Sequence, residues 1–146
     1  SVPNDPTATG QAAAVIGQGK VEASPMAMAG VAASVAAGET VIPHLVDGRQ
    51  ATSKGQPLTA QEARQLRQMM RAVVTEGSGR VLGDLPGPAV LAKTGTAEYG
   101  TSEPLKTHAW MIAAQDDLAV AVFVNDGKSG STTAGPLLRT FLTKAR

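Results

Sequence analysis

The sequence predicts an α/β fold of the α+β type, with an antiparallel β-sheet and helices packed on its faces. Three extended apolar segments carry that reading: Val90-Leu91-Ala92 running into Lys93-Thr94-Gly95-Thr96, then Thr107 to Ala114, then Leu118 to Val124. Only short turns separate them, so the three form an antiparallel meander. Helical periodicity lies on either side, in residues 59–76 and 133–144, and each of these segments has one apolar face to lay on a sheet.

The bulk properties narrow the function classes. A chain of 146 residues with 42% hydrophobic content has the size and the apolar content of one ordinary domain. Thirteen Lys and Arg against twelve Asp and Glu leave a formal charge of +1 with no basic run, so nothing points to nucleic acid or an anionic membrane. The absence of cysteine excludes disulfides, thiolate metal sites and a cysteine nucleophile. Leu118 to Val124, seven residues, is the longest apolar run and far too short for a membrane span. The opening Ser1-Val2-Pro3-Asn4 is no signal peptide and reads as a cut rather than a natural start.

In chain order, residues 1–10 are rich in Pro, Asn, Asp, Thr and Gly and are expected to be loop, with a helical turn over Gln11 to Ile16. Gly17-Gln18-Gly19 breaks regular structure, as two glycines around an amide do in a tight loop. It is no dinucleotide fingerprint, because the third glycine would fall at Glu22. Ser24 as N-cap and Pro25 at the first position start a helix that Gly38 ends. Its residues are small or apolar all round, which predicts burial on most sides, with Gly30, Ala33 and Ala37 allowing close packing and its two methionines in the core. Val41 to Val46 reads as an edge or irregular strand broken by Pro43, carrying a His44 that is expected to be structural. Residues 47–57 read as polar loop. Thr59-Ala60-Gln61-Glu62 is a capping box, followed by Ala63, Leu66, Met70, Val73 and Val74 at helical spacing. The charged face of that helix, Glu62, Arg64, Arg67 and Arg71, is expected to be solvated. A Gly/Pro loop at 77–88 leads to the first strand. Asn125 to Gly130 is not a phosphate loop, since the glycine that motif needs is Val122. In the last helix Leu137, Leu138, Phe141 and Leu142 share a face, with Gly135-Pro136 tolerable only in its first turn.

The chemistry is concentrated in the first strand. Strand side chains alternate, so Thr94 and Thr96 share one face, Lys93 lies on the other, and Gly95 leaves the backbone bare between the hydroxyls. Such a strand suits an anionic, peptide-like ligand: an ammonium and hydroxyls for a carboxylate, open backbone groups for strand addition. The triplet also admits a plainer reading as an exposed strand end. In a meander the Lys93 strand has one sequence neighbour, which makes it an edge.

The order Gly17-Gln18-Gly19, Ser24-Pro25-Met26-Ala27-Met28-Ala29, Pro43-His44-Leu45-Val46, a long helix, Lys93-Thr94-Gly95-Thr96-Ala97, His108-Ala109-Trp110, an apolar strand and a terminal helix resembles the C-terminal part of a penicillin-binding protein transpeptidase domain of the class B type. The resemblance covers almost the whole chain, residues 1–146. Lys-Thr-Gly is the third of three motifs in this serine acyl-transferase family, which has a β-lactamase/transpeptidase-like fold. What the resemblance implies is a D,D-transpeptidase that crosslinks peptidoglycan stem peptides through a serine acyl-enzyme, is acylated by β-lactams and needs no cofactor or metal. It implies a membrane-anchored parent working at the extracytoplasmic face of a bacterial membrane. By the same resemblance Lys93 is the cleft cation, Thr94, Gly95 and Thr96 bind substrate, and the Thr96 backbone N–H is one donor of an oxyanion hole. A serine β-lactamase and a non-catalytic β-lactam or muropeptide sensor share these features and stay open as alternatives.

One departure accompanies the match. Every serine of the chain lacks a lysine three residues on, and no Ser-x-Asn or Ser-x-Asp occurs, so the nucleophile and its base are missing. The expectation is a C-terminal piece of a longer polypeptide, or a chain whose N-terminal half is separate; a reduced, non-catalytic remnant is the third possibility. Either of the first two leaves apolar surface for the missing half to cover and makes this chain inert alone.

Overall fold

A computed structural model describes residue 4, residues 6–46, residue 48 and residues 57–145. Most of the expected 47–57 loop therefore lies outside the described residues. Four helices, α1 (Ala8–Val15), α2 (Pro25–Ala37), α3 (Ala60–Thr75) and α4 (Gly135–Lys144), accompany three strands, β1 (Leu91–Tyr99), β2 (Lys106–Gln115) and β3 (Leu118–Val124). A 3-10 turn at Arg80–Leu82 and a π turn at Gly130–Ala134 complete the elements.

The strands pair antiparallel in the order β1-β2-β3, with Lys93 opposite Ile112 and Gly95 opposite Trp110. The predicted meander is present, and β1 is an edge strand. Alternation along the strands divides the core into two. Ala92, Met111, Ala113, Val120 and Val122 face Val74, Leu82, Leu138 and Leu142 on one side of the sheet. On the other, Ile112, Ala114, Ala119 and Ala121 meet Ala32 and Val35 of α2 and Met70 of α3. Because α3 contributes to both sides, it runs along the edge of β1, and there Arg71 donates to the Val90 carbonyl at 3.1 Å.

The helix boundaries follow from their caps. The Ser24 hydroxyl accepts from the Ala27 N–H, and Gly38, at φ 81°, closes α2 by donating to the Ser34 carbonyl. Thr59 and Glu62 exchange both bonds of the capping box that opens α3. Gly135 and Pro136 sit in the first turn of α4, where proline lacks no needed donor.

Several expectations are corrected. The stretch expected to be loop to residue 10 turns helical at Ala8, because the Thr7 side chain accepts from the Gly10 N–H and caps α1. Helix α2 is buried on one face only: Gly30, Ala32 and Val35 are inside, while Met26 and Val31 are exposed and Met28 is half-buried. Val41 to Val46 joins no sheet; Gly30 packs against Pro43, and the Val41 N–H donates to Ser34 Oγ at 2.9 Å, which spends the segment's bonds on α2. Arg67 and Arg71 are not simply solvated. Arg67 donates to the Val35 and Ala36 carbonyls, satisfying the last turn of α2 as Arg71 satisfies the entry to β1. In α4 only Leu138 and Leu142 are core, while Leu137 and Phe141 are exposed. These two, with Pro25, Met26 and Ala29, flank residues 118–122 of β3 in an open apolar groove of about 530 Å³.

Candidate functional site

A cleft of about 460 Å³ opens between β1 and the loop that follows α1. Lys93, Thr94, Gly95, Thr96 and Ala97 form one wall; Ile16, Gly17, Gln18 and Val21 form the other. Its floor is apolar, made by Trp110, Ile112 and Phe123 of the sheet with Met28 of α2. All four residues singled out in the sequence, Lys93, Thr94, Gly95 and Thr96, are thus brought together. His44 is exposed and lies outside the cleft lining.

Alternation puts Lys93 and the two hydroxyls on opposite faces of β1. Lys93 and Gly95 project on the side of Trp110 and Ile112, Thr94 and Thr96 on the opposite side. The Lys93 Nζ donates to the Thr94 carbonyl at 2.6 Å. The floor of Trp110 and Ile112 thus lies on the Lys93 face of β1, and the Thr94 and Thr96 side chains lie on the other face. Gly95 is needed because a Cβ there would lie 3.2 Å from that of Trp110, tighter than most such contacts.

The two hydroxyls are held by their neighbours. Thr94 Oγ1 is 2.6 Å from Ser78 Oγ in the loop after α3. Thr96 Oγ1 accepts from the Gly130 N–H at 3.2 Å, in the π turn before α4. A hydroxyl has one proton to give, and Thr96 receives that bond rather than making it, so its own proton remains for a ligand.

Two features escaped the sequence reading. The first is an aromatic flank: His108 stacks on Tyr99 with ring centroids 3.9 Å apart, and Phe123 contacts both His108 and Trp110. His108 Nδ1 lies 2.8 Å from the Asn125 carbonyl oxygen; a carbonyl only accepts, so that nitrogen carries the proton. The i, i+2 spacing of His108, Trp110 and Ile112 was the signal available. The second is Gln18, whose Nε2 donates to the Thr96 carbonyl at 3.2 Å across 78 residues of sequence. Positive φ angles at Gly17 and Gly19, 77° and 69°, turn the loop that holds this amide against the strand.

Comparison with known proteins agrees with the resemblance. The family model described as the penicillin binding protein transpeptidase domain matches residues 2–143. Peptidoglycan D,D-transpeptidase PbpA of Mycobacterium tuberculosis is 36% identical over 151 aligned positions, and its counterpart in Mycolicibacterium smegmatis 35%, each alignment covering 89% of this chain. Among solved structures, Pseudomonas aeruginosa PBP2 in complex with WCK 5153 is similar with a TM-score of 0.67 at 26% identity, over 89% of this chain and 32% of that one. The D,D-transpeptidase domain of a peptidoglycan glycosyltransferase from Eggerthella lenta has a TM-score of 0.61 at 26% identity, over 84% and 32%. The chain spans about 30% of the length of the PbpA relatives it matches. A family match running over nearly every residue, on a fold shared with solved members, means that this chain belongs to the penicillin-binding protein transpeptidase domain family.

Proposed function

We propose that the chain is the C-terminal portion of a peptidoglycan D,D-transpeptidase domain, supplying the substrate-binding strand of a serine acyl-transferase whose nucleophile lies outside residues 1–146. One observation carries the reading: Lys93, Thr94, Gly95 and Thr96 of an edge strand line one cleft, with the Lys93 ammonium on the Thr94 carbonyl. The names of the relatives favour a transpeptidase over a serine β-lactamase.

The chemistry follows from the groups present. A stem peptide ending in a carboxylate enters along β1. The Thr94 and Thr96 hydroxyls donate to that carboxylate, Thr96 being free to do so because Gly130 supplies its acceptor side. The serine oxygen attacks the carbonyl of the penultimate residue, and the charge that develops on the carbonyl oxygen is met by the Thr96 N–H. A donor preorganised for that oxygen is worth about 10² to 10³ in rate. Lys93 attracts the carboxylate and biases a neighbouring hydroxyl toward proton transfer. The C–N bond then breaks, the leaving amine takes a proton, and a second stem peptide's amine accepts the acyl group. β-Lactams enter the same cycle and stop at the acyl-enzyme.

The remaining domain packs on the exposed apolar groove beside β3 and on the aromatic flank of the cleft, and the protein works at the extracytoplasmic face of the membrane. No helix among the described residues is long and apolar enough to cross a membrane.

The test is acylation of the longer protein by a fluorescent penicillin, followed by a crosslinking assay on stem peptides. Covalent labelling with transfer to an acceptor amine supports the proposal. Rapid hydrolysis of the adduct would make the protein a hydrolase, and stable labelling without crosslinking would make it a sensor.

A further inference from the structure

Antiparallel strands exchange both bonds between one residue of each partner: N–H to C=O and C=O to N–H. A residue's N–H and C=O point to the same side of a strand, and the Thr96 carbonyl points away from β2, toward the Gln18 amide. The Thr96 N–H therefore points to that open edge as well, two residues along from Thr94, whose carbonyl already takes the Lys93 ammonium. A ligand whose carbonyl oxygen is held by the Thr96 N–H consequently presents its own N–H to the Thr96 carbonyl. That acceptor is the one Gln18 Nε2 occupies at 3.2 Å.

We infer that Gln18 stands in for a ligand amide and competes with it: it holds the Thr96 carbonyl and yields it only to a ligand bringing an N–H to the same position. The inference rests on the transpeptidase reading. Gly17 and Gly19, both at positive φ, form the turn that allows the amide to meet the strand edge. One neutral hydrogen bond is exchanged for another, so an amide-bearing ligand gains back what the displacement costs. A ligand without the N–H gains nothing by displacing Gln18, which stays on the Thr96 carbonyl.

The experiment uses the longer protein and two probes: benzylpenicillin, with an acylamino N–H, and its N-methylated amide counterpart. Gln18→Ala removes the competitor, so acylation by benzylpenicillin should rise roughly three- to tenfold, the worth of one neutral hydrogen bond. The N-methyl analogue, which cannot use the vacated acceptor, should change less than twofold. An equal change for both probes, or slower acylation by benzylpenicillin, overturns the inference and makes Gln18 a structural or substrate-holding residue. Wild-type protein labelled on its side-chain amides supplies a readout independent of the variant: the Gln18 NH₂ resonance should shift when benzylpenicillin binds and stay when the analogue binds. Identical shifts for both ligands overturn it. If neither probe acylates the wild type, the transpeptidase reading itself fails, and this inference with it.

Discussion

Gly130 and Thr96 are joined by a hydrogen bond of 3.2 Å that fixes the π turn over the backbone of β1. The approach is so close that a Cβ on Gly130 would lie 2.7 Å from the Gly95 carbonyl oxygen and 2.9 Å from its nitrogen. Backbone atoms of a paired strand cannot move aside. Gly130→Ala is therefore expected to destabilise the fold by about 1–3 kcal/mol, as overpacking does, and to lower acylation as Thr96 shifts. A thermal melt of the longer protein within a degree of wild type would show that the turn can retreat.

Lys93 is exposed, and the strand around it is stabilised by β2 rather than by its charge. Lys93→Ala should reduce penicillin acylation by at least about tenfold, the loss of a charge-assisted bond, while the melting midpoint barely moves. Stopped-flow acylation with parallel calorimetry separates the two effects. Unchanged acylation would remove Lys93 from the site.

Thr94→Val is nearly isosteric and deletes the hydroxyl that faces Ser78 Oγ. Hydrogen bonds to charged groups are worth about 1.5–3 kcal/mol, so carboxylate-bearing β-lactams should lose roughly ten- to hundredfold in acylation efficiency. Their methyl esters should lose much less. Equal losses for acid and ester would mean that Thr94 shapes the cleft without meeting the carboxylate.

Two carboxylates outside the cleft contribute to stability in acid. Bonds from the Thr59 hydroxyl and then its N–H hold the Glu62 carboxyl below its ordinary value, and the Arg139 guanidinium does the same for Asp84. A carboxyl lowered in the folded state stabilises it fully above the unfolded value, about 4.3 for Glu and 3.9 for Asp, and that contribution is lost as pH falls through the folded values. Stability should thus decline below about pH 4, and Glu62→Gln with Asp84→Asn should make the decline shallower. Parallel melting curves against pH for variant and wild type would contradict this.

The parts of the fold that were legible in the sequence are those with a strong local signal. β3 is a run of seven apolar residues and was read with its observed bounds, and the caps at Ser24 and Thr59 located α2 and α3. The start of α1 at Ala8 was not legible because the Thr7 cap hides among Pro, Asn and Asp, which composition alone assigns to loop. α2 has no periodic contrast among its Ala, Gly and Val residues, so nothing in it distinguished the buried face from the exposed one. Within the cleft, the Lys93 strand was legible because a cation and hydroxyls interrupt an apolar run. Gln18 was not, since its partner at Thr96 is chosen by tertiary approach and no local pattern encodes it.

The account's central claim is that this chain supplies the ligand-binding strand and not the nucleophile. Digestion of the penicillin-labelled longer protein and mass mapping of the adduct test it directly. One β-lactam adduct on a serine outside residues 1–146 is the predicted result, with the label reduced in Lys93→Ala. An adduct on any serine within residues 1–146 would contradict the claim, because none of them has the lysine three residues on that the family's nucleophile uses.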